Sequence, residues 1–352
     1  MRVLFVSEFF YPFGGGAEVS SFYLYLLLRR RVDVVVVSFS LSGDVWVWRL
    51  FPDRPRLWLS GVFPGWERLL RGFDVVYVPR YAYFLVPLAK RLGLRVVVHL
   101  HNFCPVRYSG YLVHGFRDVV VDWLNWGPRR ALVNGFFSGF SRVMREFVLL
   151  ADEVLVPSGC HRENLSRLDQ RFRRARVLYN FVPRLSPARE PAERPLFLYL
   201  GERSFIKGFP VALAAVVQLW RRGGRFSVGG TFWGGRMSRG EVFNALGRAW
   251  GVLFPSFTEE SFGYVMVESL ARGVVPISSD VCVAREFQVR TSAAGYICRR
   301  SDVGCFVDKM ESLMAMSRRE LVELGFRLSE EIYRLVDPVK TAEHVYRIFG
   351  VD

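Results

Sequence analysis

Two glutamates with seven residues between them, Glu260 and Glu268, bracket the point where an acidic turn, Thr258-Glu259-Glu260, gives way to an apolar helical run from Tyr264 to Leu270. A short apolar strand, Val252-Leu253-Phe254, leads into the turn through Pro255-Ser256. Ser261 offers a helix-capping hydroxyl and Gly263 has no side chain, so backbone N–H groups and the positive end of the helix dipole, from Tyr264 onward, face outward as a seat for phosphate. At roughly 1.5 Å rise per residue the two acids sit above and beside one pocket, not on each other. Carboxylates accept hydrogen bonds from neutral hydroxyls. An anion seat between two such acids suits a ligand with a phosphate and several hydroxyls, as a sugar nucleotide has.

A cationic counterpart lies in Gly201-Glu202-Arg203-Ser204-Phe205-Ile206-Lys207-Gly208, between a strand at 196–200 and a helix from about 210 to 220. Arg203 by its fork and Lys207 as a point charge can grip one diphosphate. Lys207 stands out because the only other lysines among the 48 basic residues are Lys90, Lys309 and Lys340. In the front half, an apolar strand at 3–7 runs through a loop, 8–16, ending in Gly14-Gly15-Gly16, into a helix from Ala17 to about Arg30. Strand, glycine turn and helix present phosphate-binding amides. A dinucleotide fingerprint is excluded, since the third glycine is missing and no acid follows the second strand, 32–39. His99 and His101 fall at the end of a strand, 95–99, where a histidine can donate to a sugar hydroxyl and change protonation near neutral pH.

These elements together resemble glycosyltransferase family 4 (glycosyl transferases group 1), the retaining transferases of GT-B fold related to glycogen and sucrose synthases. Glu260 and Glu268 match its E-x7-E element and Gly15-Gly16-Ala17-Glu18 its G-G-x-E loop. His101-Asn102-Phe103-Cys104-Pro105 matches its H-N/D-x-x-C-P loop, and Arg203 to Gly208 its G-R-x-x-x-K-G, with Glu202 inserted. Ala151-Asp152-Glu153-Val154 and Tyr179-Asn180 also look like family elements, with Phe181 where glycine is usual. Glu286 falls where the family has G-G-x-x-E, its glycines replaced by Cys282 and Val283. The stretch 225–251 is shorter than the resemblance leads one to expect, so the nucleobase pocket is altered.

The resemblance implies an α/β chain of GT-B fold, two Rossmann-like parallel-sheet domains facing a cleft, that moves a hexosyl group from a nucleoside diphosphate sugar to an acceptor hydroxyl of a glycan, a lipid-linked compound or a small molecule, with retention. Arg203 and Lys207 hold and stabilise the leaving diphosphate. Glu260 contacts the transferred sugar, His101 supports it, and Glu268 accepts from ribose hydroxyls. Gly15, Gly16, Gly263 and Tyr264 contribute to donor binding. No metal or other cofactor is expected. The alternatives are a GT-B epimerase or phosphorylase and a non-catalytic sugar-nucleotide binder.

The chain's 352 residues suffice for two cores, and its 51% hydrophobic and 23% charged residues fit a globular protein. The βα rhythm, with further strands at 74–78 and 151–158, implies a parallel sheet with ligands at the carboxyl ends of its strands. The expected domains are 1–183, a Pro-rich linker at 184–195, a second domain at 196–336, and a terminal helix within 337–352 that returns to the first. No run approaches the length of a membrane span and the opening is not a signal peptide, so the expected location is cytoplasmic. Cysteines 104, 160, 282, 298 and 305 show no metal spacing, and their odd number favours free thiols. The scarcity of lysine fits either codon usage or heat adaptation. A net charge of +15 with no nucleic-acid motif argues for peripheral contact with an anionic membrane, not nucleic acid. Phenylalanines and arginines at 136–147 suit either core or that contact, with core favoured.

Overall fold

The computed structural model describes residues 1–7, 9–12, 14–38, 65–115 and 117–351, without the side chains of residues 130, 133 and 137. Glu8, Phe13 and Phe39, assigned above to the first loop and the second strand, lie outside the described residues. The chain divides into two compact units, Met1–Tyr111 with Leu132–Phe181 and Val339–Asp352, and Leu112–Ala131 with Val182–Pro338.

The first unit is built on β1 (Arg2–Val6), β2 (Asp33–Val37), β3 (Val75–Val78), β4 (Arg95–His99), β5 (Glu153–Val156) and β6 (Arg176–Val177). They form a parallel sheet in the order β2-β1-β3-β4-β5-β6. Valine-rich strands buried on both faces are what a parallel sheet requires. Val3, Phe5, Val75, Tyr77 and Val97 pack with Leu24 and Leu28 of the Gly16–Leu28 helix. Val345, Ile348 and Phe349 of the terminal Pro338–Phe349 helix join the same core. Asn180 Oδ1 accepts from Ser20 Oγ at 2.6 Å and ties the first helix to the end of the sheet. The strand order reverses between β1 and β3, which puts their following loops side by side at the carboxyl edge.

The second unit repeats the plan with β7 (Leu196–Tyr199), β8 (Ser227–Gly230), β9 (Gly251–Phe254), β10 (Val275–Ser279) and β11 (Ile297–Cys298). All pairings are parallel, in the order β11-β10-β9-β7-β8, so the reversal falls between β7 and β9. Leu198, Leu246, Ala249, Val252 and Val274 form a core beneath the Arg239–Arg248 helix.

Two segments depart from the sequence reading. Residues 112–131, assigned there to the first domain, cluster with the second unit because Leu112 is hydrogen-bonded into the turn after β9. Its amide donates to Thr258 Oγ1 at 3.2 Å and its carbonyl accepts from Glu259 N at 2.7 Å. The stretch 184–195 is bonded to the second unit, not a loose tether. The buried Arg189 donates to Ala249 O at 2.5 Å and Leu321 O at 2.8 Å, and the Glu190 and Ala192 amides donate to Gly247 O and Arg248 O. Proline there limits the unfolded ensemble and leaves fewer amides needing partners.

Cys104 is a buried free thiol, as expected, but Cys298 and Cys305 are joined by a disulfide. Spacing alone could not show this. Cys298 ends β11 and Cys305 lies in the first turn of the Val303–Met314 helix, and the intervening turn folds the two back within 5.7 Å, Cα to Cα. Closing so short a loop contributes about 2 kcal/mol. Cys305→Ser is therefore expected to lower the unfolding free energy of oxidised protein, read in urea melts, by that amount; an unchanged free energy contradicts the stapling role.

Candidate active site

At the carboxyl edge of the second sheet, the loop after β7 and the loop after β9 are fastened together. Ile206 O accepts from Phe257 N at 2.9 Å, and the Phe205 and Phe257 rings stack at 4.8 Å. Gly208, at φ +70°, makes the approach possible, since a Cβ there would lie 1.7 Å from Pro255 O. Across this seam Lys207 Nζ stands 2.8 and 3.0 Å from the two oxygens of Glu260, and Ser256 Oγ donates to Glu260 Oε1 at 2.8 Å. Tyr199, in β7, braces the cationic loop from below, its hydroxyl 2.6 Å from Glu202 O and 3.3 Å from Lys207 O. Burial, reinforced by the Glu260 and Glu202 carboxylates, holds that phenol protonated far above its usual range. Arg203 lies over the Phe209 ring, 5.1 Å from its centroid, and beside Gly234.

The Tyr264–Ala271 helix starts at Gly263, whose φ of +73° is open to glycine and strained for other residues. No side chain caps it, so the capping hydroxyl assigned to Ser261 is corrected: the N-cap is Gly263 itself. Tyr264 is buried at the first helical position, its ring edge-on to Phe262 at 5.0 Å. Glu268 is 2% exposed, and both its oxygens are held by the fork of Arg239, with Nη1 2.9 Å from Oε2 and Nη2 on Oε1. Burial raises the Glu268 carboxyl above the usual range, and Arg239 opposes that rise. Arg239 is fixed in turn by the Ser238–Glu241 capping box that opens its helix and by the Phe243 ring one turn on, at 4.7 Å. The structure thus brings Lys207 onto Glu260 and gives Glu268 a different cation.

Arg239 was missed from sequence, as was Glu259. Glu259 is buried beside Glu260 but serves the scaffold. Its carboxylate takes Arg300, His114 Nε2 at 3.1 Å and the Cys282 amide at 2.8 Å. The Cys282 amide, which the sequence places where the family has glycine, is thereby engaged by protein. Neighbouring acids in one turn gave a signal that two roles were present, but not which residue had which.

In the first unit, Gly15 caps the Gly16–Leu28 helix and its N–H donates to Glu18 Oε2 at 2.6 Å. The Gly15 amide expected to face donor is therefore occupied by Glu18. Glu18 is itself paired with Arg80, from the loop after β3. His99 ends β4, with its Nδ1 3.0 Å from Tyr77 Oη, and its ring lies 4.1 Å from that of His101. Both are buried, as is His161. Burial, with mutual repulsion, drives His101 well below its usual pKa and holds His99 and His161 at about 3. His101 is thus a neutral imidazole, and its Nε2 has no hydrogen-bond partner among the described residues.

The family model for glycosyl transferases group 1 matches residues 229–328, and that for Glycosyltransferase Family 4 matches residues 14–184. The chain belongs to this glycosyltransferase family. The transferase has the GT-B fold. It is similar in structure to Anabaena HepE in complex with UDP and glucose, at 16% identity over 99% of each chain and a TM-score of 0.73. It is also similar to sucrose-phosphate synthase from Thermosynechococcus elongatus, at 16% identity over 99% of this chain and 98% of that one, with a TM-score of 0.72. The catalytic domain of Arabidopsis thaliana starch synthase IV bound to ADP and acarbose shares 12% identity over 98% of each chain, with a TM-score of 0.66. No curated protein sequence matches. Arg203 and Lys207 fall outside both matched ranges, whereas the other predicted site residues fall within them.

Two outcomes test the electrostatics of the transferase. Arg239→Met leaves a buried carboxylate without its cation, a loss of about 3 to 5 kcal/mol. Because protonation relieves the stranded charge, the deficit is expected to shrink as pH falls from 8 to 5, and Glu268→Gln is expected to restore stability to the Arg239→Met protein. A deficit independent of pH, read in urea melts, contradicts the pairing. For the histidines, the unfolded chain takes up protons near their ordinary pKa of 6.5 while folded His99 and His161 resist until about 3. Stability is therefore lost as pH falls through that window, on the order of 1 kcal/mol per unit per histidine. His161→Leu is expected to flatten the slope by about a third; an unaltered slope refutes it.

Proposed function

We propose that this glycosyltransferase moves a hexosyl group from a nucleoside diphosphate sugar to an acceptor hydroxyl with retention of anomeric configuration. The observation that carries the reading is the Lys207–Glu260 pair, set at the strand-order reversal of the second sheet, in the turn that leads to the uncapped helix start at Gly263. Ligands of open α/β sheets bind at such a reversal. HepE structures hold UDP with glucose and UDP-glucose, which supports a uridine donor as the first to try.

In this reading the diphosphate lies against the Gly263 and Tyr264 amides and within reach of Arg203 and Lys207. Lys207 then shares its charge between phosphate and Glu260, and Glu260 turns a freed oxygen toward the transferred sugar. Glu268, paired with Arg239, accepts from ribose hydroxyls. His101, as a neutral donor, and Gly16 are the first unit's groups for the sugar. The anomeric C–O bond to the diphosphate breaks, the acceptor oxygen bonds the same carbon on the same face, and the acceptor proton passes to the departing diphosphate oxygen. Arg203 and Lys207 stabilise the charge that develops there, the assistance a metal gives in other enzymes, so the reaction needs no metal. The Cys298–Cys305 disulfide and the near-exclusive use of arginine support a heat-adapted enzyme.

Calorimetry with UDP-, GDP- and ADP-glucose tests the reading, and at least one is expected to bind. Lys207→Ala and Glu268→Ala are each expected to weaken it by about 1.5 to 3 kcal/mol. If all three sugar nucleotides fail to bind, the reading is lost; a product of inverted configuration by NMR removes retention alone.

A further inference from the structure

Large apolar side chains stand outward on two consecutive helices, Asp118–Trp126 and Pro128–Phe136. On the first helix, Val119, Val120, Trp123 and Leu124 are exposed, Trp123 by 60%. At about 100° per residue these four positions span an arc of about 140°. The opposite side is the anchored one. Val121 and Asp122 are buried, and Asn125 Oδ1 accepts from Ile206 N at 3.2 Å. The usual arrangement is thus inverted, with the acid buried and the valines, tryptophan and leucine in solvent. On the second helix Leu132 is 76% and Phe136 84% exposed, and they share an arc of about 60° with the exposed Arg129. By contrast the Phe140–Leu149 helix, the sequence's candidate for this role, turns Met144 and Val148 into the core.

We propose that these two outward faces dock the transferase onto an anionic lipid headgroup layer. Large apolar side chains left in water on two successive helices mark a surface with a use. Tryptophan on the first face and phenylalanine on the second, with arginines at 117 and 129, are the chemistry of helices lying in a membrane interface. Among the described residues no helix is long and apolar enough to cross a membrane, so the contact is peripheral. Charge decides the occupant. The chain carries a net +15, and neither exposed arc contains an acid. Two copies meeting by this face would oppose like charges and guanidinium against guanidinium. A layer of lipid phosphates pairs with those guanidinia and supplies about 1 kcal/mol for each cation near the surface. In the transferase reading, on which this last step rests, the acceptor hydroxyl is carried by a lipid in that layer.

The test is flotation of the full chain with phosphatidylglycerol vesicles and with phosphatidylcholine vesicles, at low and high salt. The protein is expected to float with the anionic vesicles, to be released by salt, and to ignore the zwitterionic ones. Trp123→Ser with Leu124→Ser, and separately Leu132→Ser with Phe136→Ser, are expected to weaken flotation about tenfold while sugar-nucleotide calorimetry and melting stay as in the wild type. Wild type that does not float, or variants that float equally well, overturn the docking. So does sedimentation showing a dimer that Trp123→Ser with Leu124→Ser abolishes without change in flotation, or an acidic protein captured in place of vesicles. Donor binding without flotation leaves the transferase reading standing; flotation without donor binding removes that reading and leaves the docking.

Discussion

A charge withdrawn from water must find an opposite charge, and the carboxyl edges of both sheets are organised by that demand. Glu18 is held by Arg80, Glu259 by Arg300, Glu260 by Lys207 and Glu268 by Arg239. In each case the acid and the cation come from different loops or helices. The pairs therefore join elements that the hydrophobic core leaves free to move. Breaking one without a substitute strands a charge at a cost of several kcal/mol. Pairs of this kind select their ligands. A bare phosphate competes with Glu260 for Lys207 but offers the released carboxylate nothing. A phosphorylated polyol offers the cation an anion and the acid a set of hydroxyls, so both partners are satisfied after the exchange.

The exchange needs the pairs in register, and the backbone provides it. In the second sheet the reversal of strand order leaves β7 and β9 adjacent, with their following loops on one edge. Gly208 lets those loops touch, Tyr199 holds the first from inside the sheet, and the Ile206–Phe257 hydrogen bond closes the seam. Leu112 and Asn125 add bonds to both loops from a segment that precedes the second sheet by many residues in the chain. The Asp118–Trp126 helix is therefore attached directly to the loop after β7. A surface that engages a lipid layer through Trp123 is two residues from Asn125, which bonds the amide of Ile206, next to Lys207.

What the sequence revealed was whatever depends on local pattern. Valine runs marked the strands, and the terminal helix is found at 338–349 as expected. Lys207 and Glu260 could be singled out by type and spacing. What it hid depends on distance in space. Arg239 stands 29 residues before Glu268 in the chain, and nothing local distinguishes it from the other arginines. Cys298 and Cys305 read as unpaired thiols because no spacing rule describes a strand end folded back on a helix start. Buried Glu259 looked like its neighbour because burial is a property of packing. The Gly15 amide looked available because Glu18, three residues on, reads equally well as a ligand residue and as half of a capping box.

The shortened stretch after β8 ties these threads together. By resemblance, a further helix and strand belong between Gly230 and the next helix; here an eight-residue turn leads directly from β8 to the Arg239–Arg248 helix. That turn is closed by Trp233, whose Nε1 donates to Val228 O at 2.9 Å, and it brings Gly234 against Arg203. The helix then packs on β7 and β8. Its first residue is therefore delivered to the buried acid of the neighbouring helix. A shortening that merely removed part of a nucleobase pocket would leave Glu268 desolvated and unpaired. Here the short connection sets Arg239 against that acid, so the length of the turn and the pairing of Glu268 go together.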